Sequence, residues 1–272
     1  MRTISWFSCG AASAVATKLA LVDGPVTIVN CEVKEEHPDN KRFLKDCEEW
    51  FGQEIIILGN DDYNRSIYDV FEKEKYLAGR YYAPCTNLLK KDIRKQFERP
   101  GDRQVFGYTV EEQDRVDRFI DANNDVDLIT PLIDRGLTKA DCLAMIVDAG
   151  IELPAMYKLG YKNNNCRGCV RASSPAYYAK IKIDFPHYAE KMNNMEKKLG
   201  VNLLKIDMKS VKSKYPDIYN SLGKPSTTNE KGGATYWRFK IDEIPESIEP
   251  MDETVDIQCG IFCELAEQEY RK

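Results

Sequence analysis

Two groups of residues in this 272-residue chain have the types and spacing to do chemistry. The first is Ser8-Cys9-Gly10-Ala11-Ala12-Ser13. Small residues between a strand and a helix let the backbone approach an anion. Amides at a helix N-terminus, together with serine hydroxyls, are donors for phosphate oxygens. An ordinary tight strand-to-helix turn has the same composition, so the segment alone specifies neither. The second group is a pair of cysteine knuckles, Cys166-Arg-Gly-Cys169 and Cys259-Gly-Ile-Phe-Cys263. Two thiols on one turn can chelate a tetrahedral metal or hold two corners of a cluster, and four thiolates suit Zn²⁺ or an iron–sulfur cluster. Reduced bystander cysteines in turns are the plain alternative.

Other candidates carry less. Cys31, Cys47 and Cys142 have apolar neighbours and read as small core residues, whereas Cys9 stands in the candidate phosphate loop. Lys90, Lys91, Arg94, Lys95 and Arg99 recur at helical spacing, as a solvated helix face would. His187 follows Pro186 at a helix start and reads as a surface or capping residue. Lys205 to Lys214, with Tyr236 and Trp237 beside a Gly-Gly turn, have the composition of an RNA-contacting tail.

The elements that must position these residues are legible from periodicity. Thr3 to Ser8 reads as a buried strand, and the small-residue turn feeds a helix around Ala14 to Val22. Val26 to Val33 is rich in β-branched residues, as a second strand should be. From Asp39, a plausible N-cap, Phe43, Leu44, Cys47, Trp50 and Phe51 fall on one helical face that Gly52 ends. Glu54 to Leu58 and Gln104 to Thr109 supply two more strands, and Glu111 to Asp121 a charged helix. Thr138 with Asp141 makes a capping-box start for a helix ending at Gly150. Repeated βα units predict an α/β fold with a mostly parallel sheet over residues 1–160, with the first crossover loop at the ligand-binding carboxyl edge. After Gly160 the character changes to a smaller, mainly helical lobe over 161–272, with helices near Pro175 to Lys182 and Pro186 to Leu199.

Composition narrows the class. A net charge of −5 gives no global field favouring a polyanion. No apolar run approaches the ~20 residues needed to span a bilayer, and the N-terminus lacks the pattern of a secretory signal, so a cytoplasmic protein without a membrane partner is expected. Nine cysteines, an odd number in a long chain, argue for ligands or reactive thiols rather than a disulfide scaffold.

The opening loop resembles the PP-loop of adenine-nucleotide α-hydrolases, usually Ser-Gly-Gly-X-Asp-Ser: Ser8, Gly10 and Ser13 match, Cys9 replaces a glycine and Ala12 the aspartate. Glu35-Glu36-His37-Pro38-Asp39, Cys85-Thr86-Asn87-Leu88-Leu89-Lys90, Phe106-Gly107-Tyr108 and Pro131-Leu132 are similar to segments of the phosphoadenylyl-sulfate (PAPS) reductase family, in its order, over roughly residues 1 to 200. The resemblance implies a Rossmann-like sheet flanked by helices. It also implies an adenine nucleotide, ATP or PAPS, bound by Ser8, Cys9, Gly10, Ala11, Ser13, His37 and Gly107. Lys90 would face phosphate or sulfate oxygens, and Cys85 would join it in catalysis. Family reductases with a [4Fe-4S] cluster use a Cys-Cys pair where this chain has Pro84-Cys85. A [4Fe-4S] cluster or Zn would thus be held by Cys166, Cys169, Cys259 and Cys263, with Cys85 as an alternate ligand. Cys259-Gly260-Ile261 resembles the reductases' C-terminal nucleophile segment, but Phe262 replaces its histidine, which favours a ligand role for Cys259. Either sulfonucleotide reduction, with a reductant protein as partner, or ATP-dependent sulfur transfer to tRNA or another nucleic-acid acceptor would fit. A zinc-stapled, non-catalytic nucleotide- or RNA-binding module is the rival.

Overall fold

The computed structural model describes residues 1–79, 82–207, 213 and 236–252. Cys259 and Cys263 lie outside the described residues. The contacts divide the chain into two units, the described residues of Met1–Asp61 with Leu89–Asn165, and those of Asp62–Leu88 with Cys166–Asp252.

In the first unit, β1 (Thr3–Trp6) is followed by α1 (Ala11–Val22), β2 (Val26–Cys31), α2 (Asn40–Phe51) and β3 (Ile56–Leu58). The chain then runs through the second unit's α3 (Ile67–Glu74) and α4 (Pro84–Thr86), and a π-helical turn over Asn87–Lys91 leads into α5 (Asp92–Phe97). Next come β4 (Arg103–Val105), α6 (Gln113–Ala122), β5 (Asp127–Ile129), α7 (Pro131–Asp134), α8 (Lys139–Asp148) and α9 (Ala155–Lys158). The five strands form one all-parallel sheet in the order β3-β2-β1-β4-β5, flanked by helices. The chain moves outward from β1 to β3 on one side and from β4 to β5 on the other. The direction of winding therefore reverses between β1 and β4, and open parallel sheets form their ligand crevice at that point, outside the strands' carboxyl ends.

α1 is buried on almost every side, including Ala11, Ala14, Ala16 and Ala20. Alanines there let it pack closely against both the sheet and α8. α2 buries Phe43, Cys47 and Phe51 on one face and ends where Gly52 turns left-handed at φ +74°. Its predicted N-cap, Asp39, makes no cap bond: both oxygens take Arg42 at 2.7 and 2.8 Å, and one also accepts the Ala155 amide at 2.9 Å. Arg42 reaches on to the Glu152 and Leu153 carbonyls. The start of α2 is thus tied to α9, and Arg42 holds the Asp39 carboxyl below its usual range. The Thr138–Asp141 capping box of α8 forms as read from sequence.

The second unit also contains α10 (Pro175–Asp184) and α11 (Pro186–Leu199), which pack together, and the antiparallel pair β6 (Leu204–Asp207) and β7 (Tyr236–Phe239). This pair is absent from the helical reading of the lobe. Trp237 is only 5% exposed, because alternation along β7 turns it and Phe239 inward. The stacking surface expected of Trp237 in an RNA-contacting tail is therefore corrected: the indole is core. No described helix is long and apolar enough to cross a membrane.

Candidate functional site

The loop after β1 turns through Cys9 at φ +55°, a left-handed conformation that glycine adopts more readily than a residue with a β-carbon. Cys9 is 2% exposed. Its thiol takes the Asn30 amide at 3.6 Å, and burial pushes it well above the usual thiol range. Its side chain is thus a packing group beneath the loop. Ser13, also buried, is an internal brace: its hydroxyl accepts from the Ser8 amide at 3.0 Å, pairs with the Ser8 hydroxyl at 3.0 Å and donates to the Gly10 carbonyl at 2.9 Å. What faces outward is the exposed Ser8 and the half-buried Gly10 and Ala12. The first amides of a helix have no intrahelical acceptor. Ala11 gives its own to the Tyr157 hydroxyl at 3.2 Å, while the Gly10 and Ala12 amides have no acceptor among the described residues.

Gly107 closes the loop from the far side. A β-carbon there would stand 2.6 Å from the Ser13 nitrogen and 2.7 Å from the Ala12 carbonyl carbon and the Ser13 Cα. The glycine is required by this approach of two backbones at the β1/β4 reversal, not by a side-chain demand of a ligand.

Lys90 comes to the same edge of the sheet. Its ammonium meets Glu36 Oε1 at 2.9 Å, and Glu36 Oε2 accepts from Asn40 at 3.1 Å. Asn40 in turn accepts from Asn164 at 2.8 Å, whose amide nitrogen also donates to the Cys9 carbonyl at 2.6 Å. A continuous polar chain therefore links Lys90 to the turn of the loop, much of it buried. Among the described residues Asn164 Oδ1 has no donor. His37 Nδ1 accepts the Asp39 amide at 3.1 Å, so the ring helps shape the turn entering α2.

Sequence reasoning passed over Tyr157, Asn164 and Lys139. Burial pushes the Tyr157 hydroxyl up to about 12. The Lys139 ammonium sits 5.2 Å over the Tyr157 ring and 2.5 Å from Asn163 Oδ1, and burial followed by the charge of Lys162 lowers it to about 8. The only local signal was the Asn163–Asn165 run, and Tyr157 is brought in by the tie between Asp39 and α9.

In the second unit, Cys166 and Cys169 are half-buried on a turn whose Gly168 is left-handed at φ +81°. The Tyr177 hydroxyl accepts from the Cys169 amide at 3.1 Å and donates to the Cys166 carbonyl at 3.2 Å, and Tyr178 donates to the Gly168 carbonyl at 2.9 Å. The knuckle is thus clamped by α10, which suits two corners of a thiolate site. Cys85 is half-buried in α4. Among the described residues no three His, Cys, Asp or Glu side chains gather as a metal site, so Cys85, Cys166 and Cys169 by themselves do not form one.

The thiols divide by burial. Cys9, Cys47 and Cys142 are at most 2% exposed, and burial raises all three. We expect mass-spectrometric mapping after brief iodoacetamide treatment at pH 8 to find Cys166 and Cys169 labelled and these three untouched until the protein is unfolded. Equal labelling of Cys142 and Cys166 in the folded protein would contradict this packing.

No protein-family model matches this chain, and no curated protein matches it significantly, so what the site does rests on its own residues.

Proposed function

We propose that this chain binds an adenine nucleotide with its phosphates over the loop after β1, and that it acts as a PAPS-reductase-like enzyme in sulfonucleotide reduction or nucleotide-activated sulfur transfer. The observation that carries the reading is the meeting, at the β1/β4 reversal, of the open Gly10 and Ala12 amides, the exposed Ser8 and the Lys90 ammonium. Ser8 and the amides would hold phosphate oxygens, with Ser13 bracing the turn and Gly107 admitting it. Lys90 would exchange part of its contact with Glu36 for an oxyanion. Cys166 and Cys169 would supply two thiolates to Zn or an iron–sulfur cluster, which in this setting would serve as a sulfur carrier or a staple. In the reductive reaction a thiolate would attack the sulfonate sulfur and displace the adenosine bisphosphate, and a thiol of the reductant protein would then attack the S-sulfo group, forming a disulfide and releasing sulfite. In the transfer reaction an acceptor oxygen would attack the α-phosphorus of ATP and displace pyrophosphate, leaving an adenylated acceptor on which sulfur replaces AMP.

One observation favours the non-catalytic rival: with Ala12 in the place of the aspartate, the described loop has no carboxylate of its own to hold a metal on the phosphates. Calorimetry with ATP and with PAPS tests the binding reading, and Lys90→Ala is expected to weaken affinity about tenfold, the loss of one charge-assisted contact. Equal affinity in the variant and the wild type removes Lys90 from the site. Release of AMP, pyrophosphate or sulfite then separates an enzyme from a binding module.

A further inference from the structure

The five basic residues from Lys90 to Arg99 do not form one solvated face. Lys91, Lys95 and Arg99 are exposed, but Arg94 on α5 is 7% exposed. Its guanidinium lies 5.6 Å from the centres of both the Phe106 and the Phe119 rings. Among the described residues it donates no hydrogen bond. Its Nε is 3.3 Å from Glu98 Oε2, close enough for an ion pair but without hydrogen-bond alignment, so both atoms remain buried and unsatisfied. A guanidinium carries five N–H donors in a planar fork matched to an oxyanion, and here its Nε is buried with no hydrogen-bond acceptor among the described residues, which is costly. A purely structural arginine would have its fork filled by carbonyls or a carboxylate, as Arg42 does with Asp39.

The placement of this fork is specific. Phe106 and Tyr108 flank Gly107 directly after β4, at the point where that segment abuts the loop. The charge of Arg94 is felt by Tyr108 and by Cys31 at the end of β2, and Cys31 also feels Lys90. Arg94 therefore stands at the carboxyl edge of the sheet, with Lys90 four residues earlier in the chain. The two ring centres are only 5.4 Å apart, so both rings lie on one side of the guanidinium and the other side is left to an acceptor.

We propose that Arg94 is the recognition residue of an oxyanion subsite of the phosphate or sulfate class, next to the loop after β1. As a subsite for a second anionic group of the nucleotide, it rests on the binding reading above. As a site for the oxyanion itself, it does not.

The test is calorimetric titration of the full chain in chloride buffer with inorganic phosphate, sulfate and pyrophosphate, and separately with ATP and AMP. The expected result is saturable oxyanion binding by the wild type, weakened tenfold or more in Arg94→Gln. Arg94→Lys, which keeps the charge but loses the fork, should fall between them. Circular dichroism checks that each variant is folded; should Arg94→Gln fail to fold, Arg94→Lys carries the same comparison. Oxyanion affinity unchanged by either substitution, or absent from the wild type, overturns the proposal. Tight ATP binding that is indifferent to Arg94, with no Arg94-dependent binding of phosphate, sulfate or pyrophosphate, also overturns it, while leaving the nucleotide reading intact. Arg94-dependent phosphate binding with no gain for ATP supports the subsite and removes the nucleotide.

Discussion

Glu196→Ala is expected to remove about 4 kcal/mol of stability, seen as a fall of about 10 °C in the unfolding midpoint. Glu196, on α11, is completely buried, and its two oxygens serve different strands of chain: one accepts the Leu203 amide at 2.6 Å, the other the Ile241 amide at 3.0 Å. Alanine strands both donors in a dry interior, at about 1–3 kcal/mol each, and leaves a void. Glutamine is an imperfect rescue, because its NH₂ must face one of the two N–H groups. Burial holds this carboxyl above its usual range. Its contribution is therefore fully present below the ordinary carboxylate pKa and is lost as pH rises through the raised value. Denaturant titrations across pH 4 to 8 should show this slope in the wild type and not in Glu196→Gln. A midpoint in Glu196→Ala within about 2 °C of wild type would mean the carboxylate is no keystone.

Gly107→Ala should cost about 3 kcal/mol and abolish nucleotide binding in the same protein. The added methyl meets backbone, not a side chain that can swing away, at 2.6–2.7 Å. Either the segment after β4 retreats or α1 shifts along its axis. α1 is hemmed in on nearly all sides, so the loop residues Ser8 to Ser13 must absorb the displacement. Urea unfolding and calorimetry measure the two losses separately. Wild-type affinity in a folded Gly107→Ala protein would show that the loop does not hold the ligand.

What was legible from sequence followed local rules. Pro186–Leu199 forms over the range its proline and terminal glycine mark, and the α8 cap needs only Thr138 and Asp141. The alternation of strands and helices was enough for an all-parallel sheet. β5 escaped because three residues in an acidic stretch carry no period, and β6–β7 because its partners are far apart in sequence. At the site, the loop was readable as a pattern, but the use of its groups was not. Ser13 reads as a phosphate donor, and the sequence did not show that its hydroxyl also braces the turn through Ser8 and Gly10 within the same loop. Asp39 reads as a cap, yet an arginine three residues on competes better for its carboxylate. Arg94 shares a periodic basic run with exposed neighbours, and only the positions of Phe106 and Phe119 turn it inward.

The central place of β1 also governs the order of assembly. Thr3 pairs with Val26 on one side and with Arg103 on the other, and Arg2 reaches Asp102 across the same span. On a ribosome, β1 waits for about a hundred further residues before its second neighbour exists. Most of α3 and α4's segment, which belongs to the other unit, is made in that interval. Closing so long a loop before any pairing rewards it makes sheet completion the slow event. The half-made sheet, with the flank of β1 unpaired, is the species a chaperone would meet.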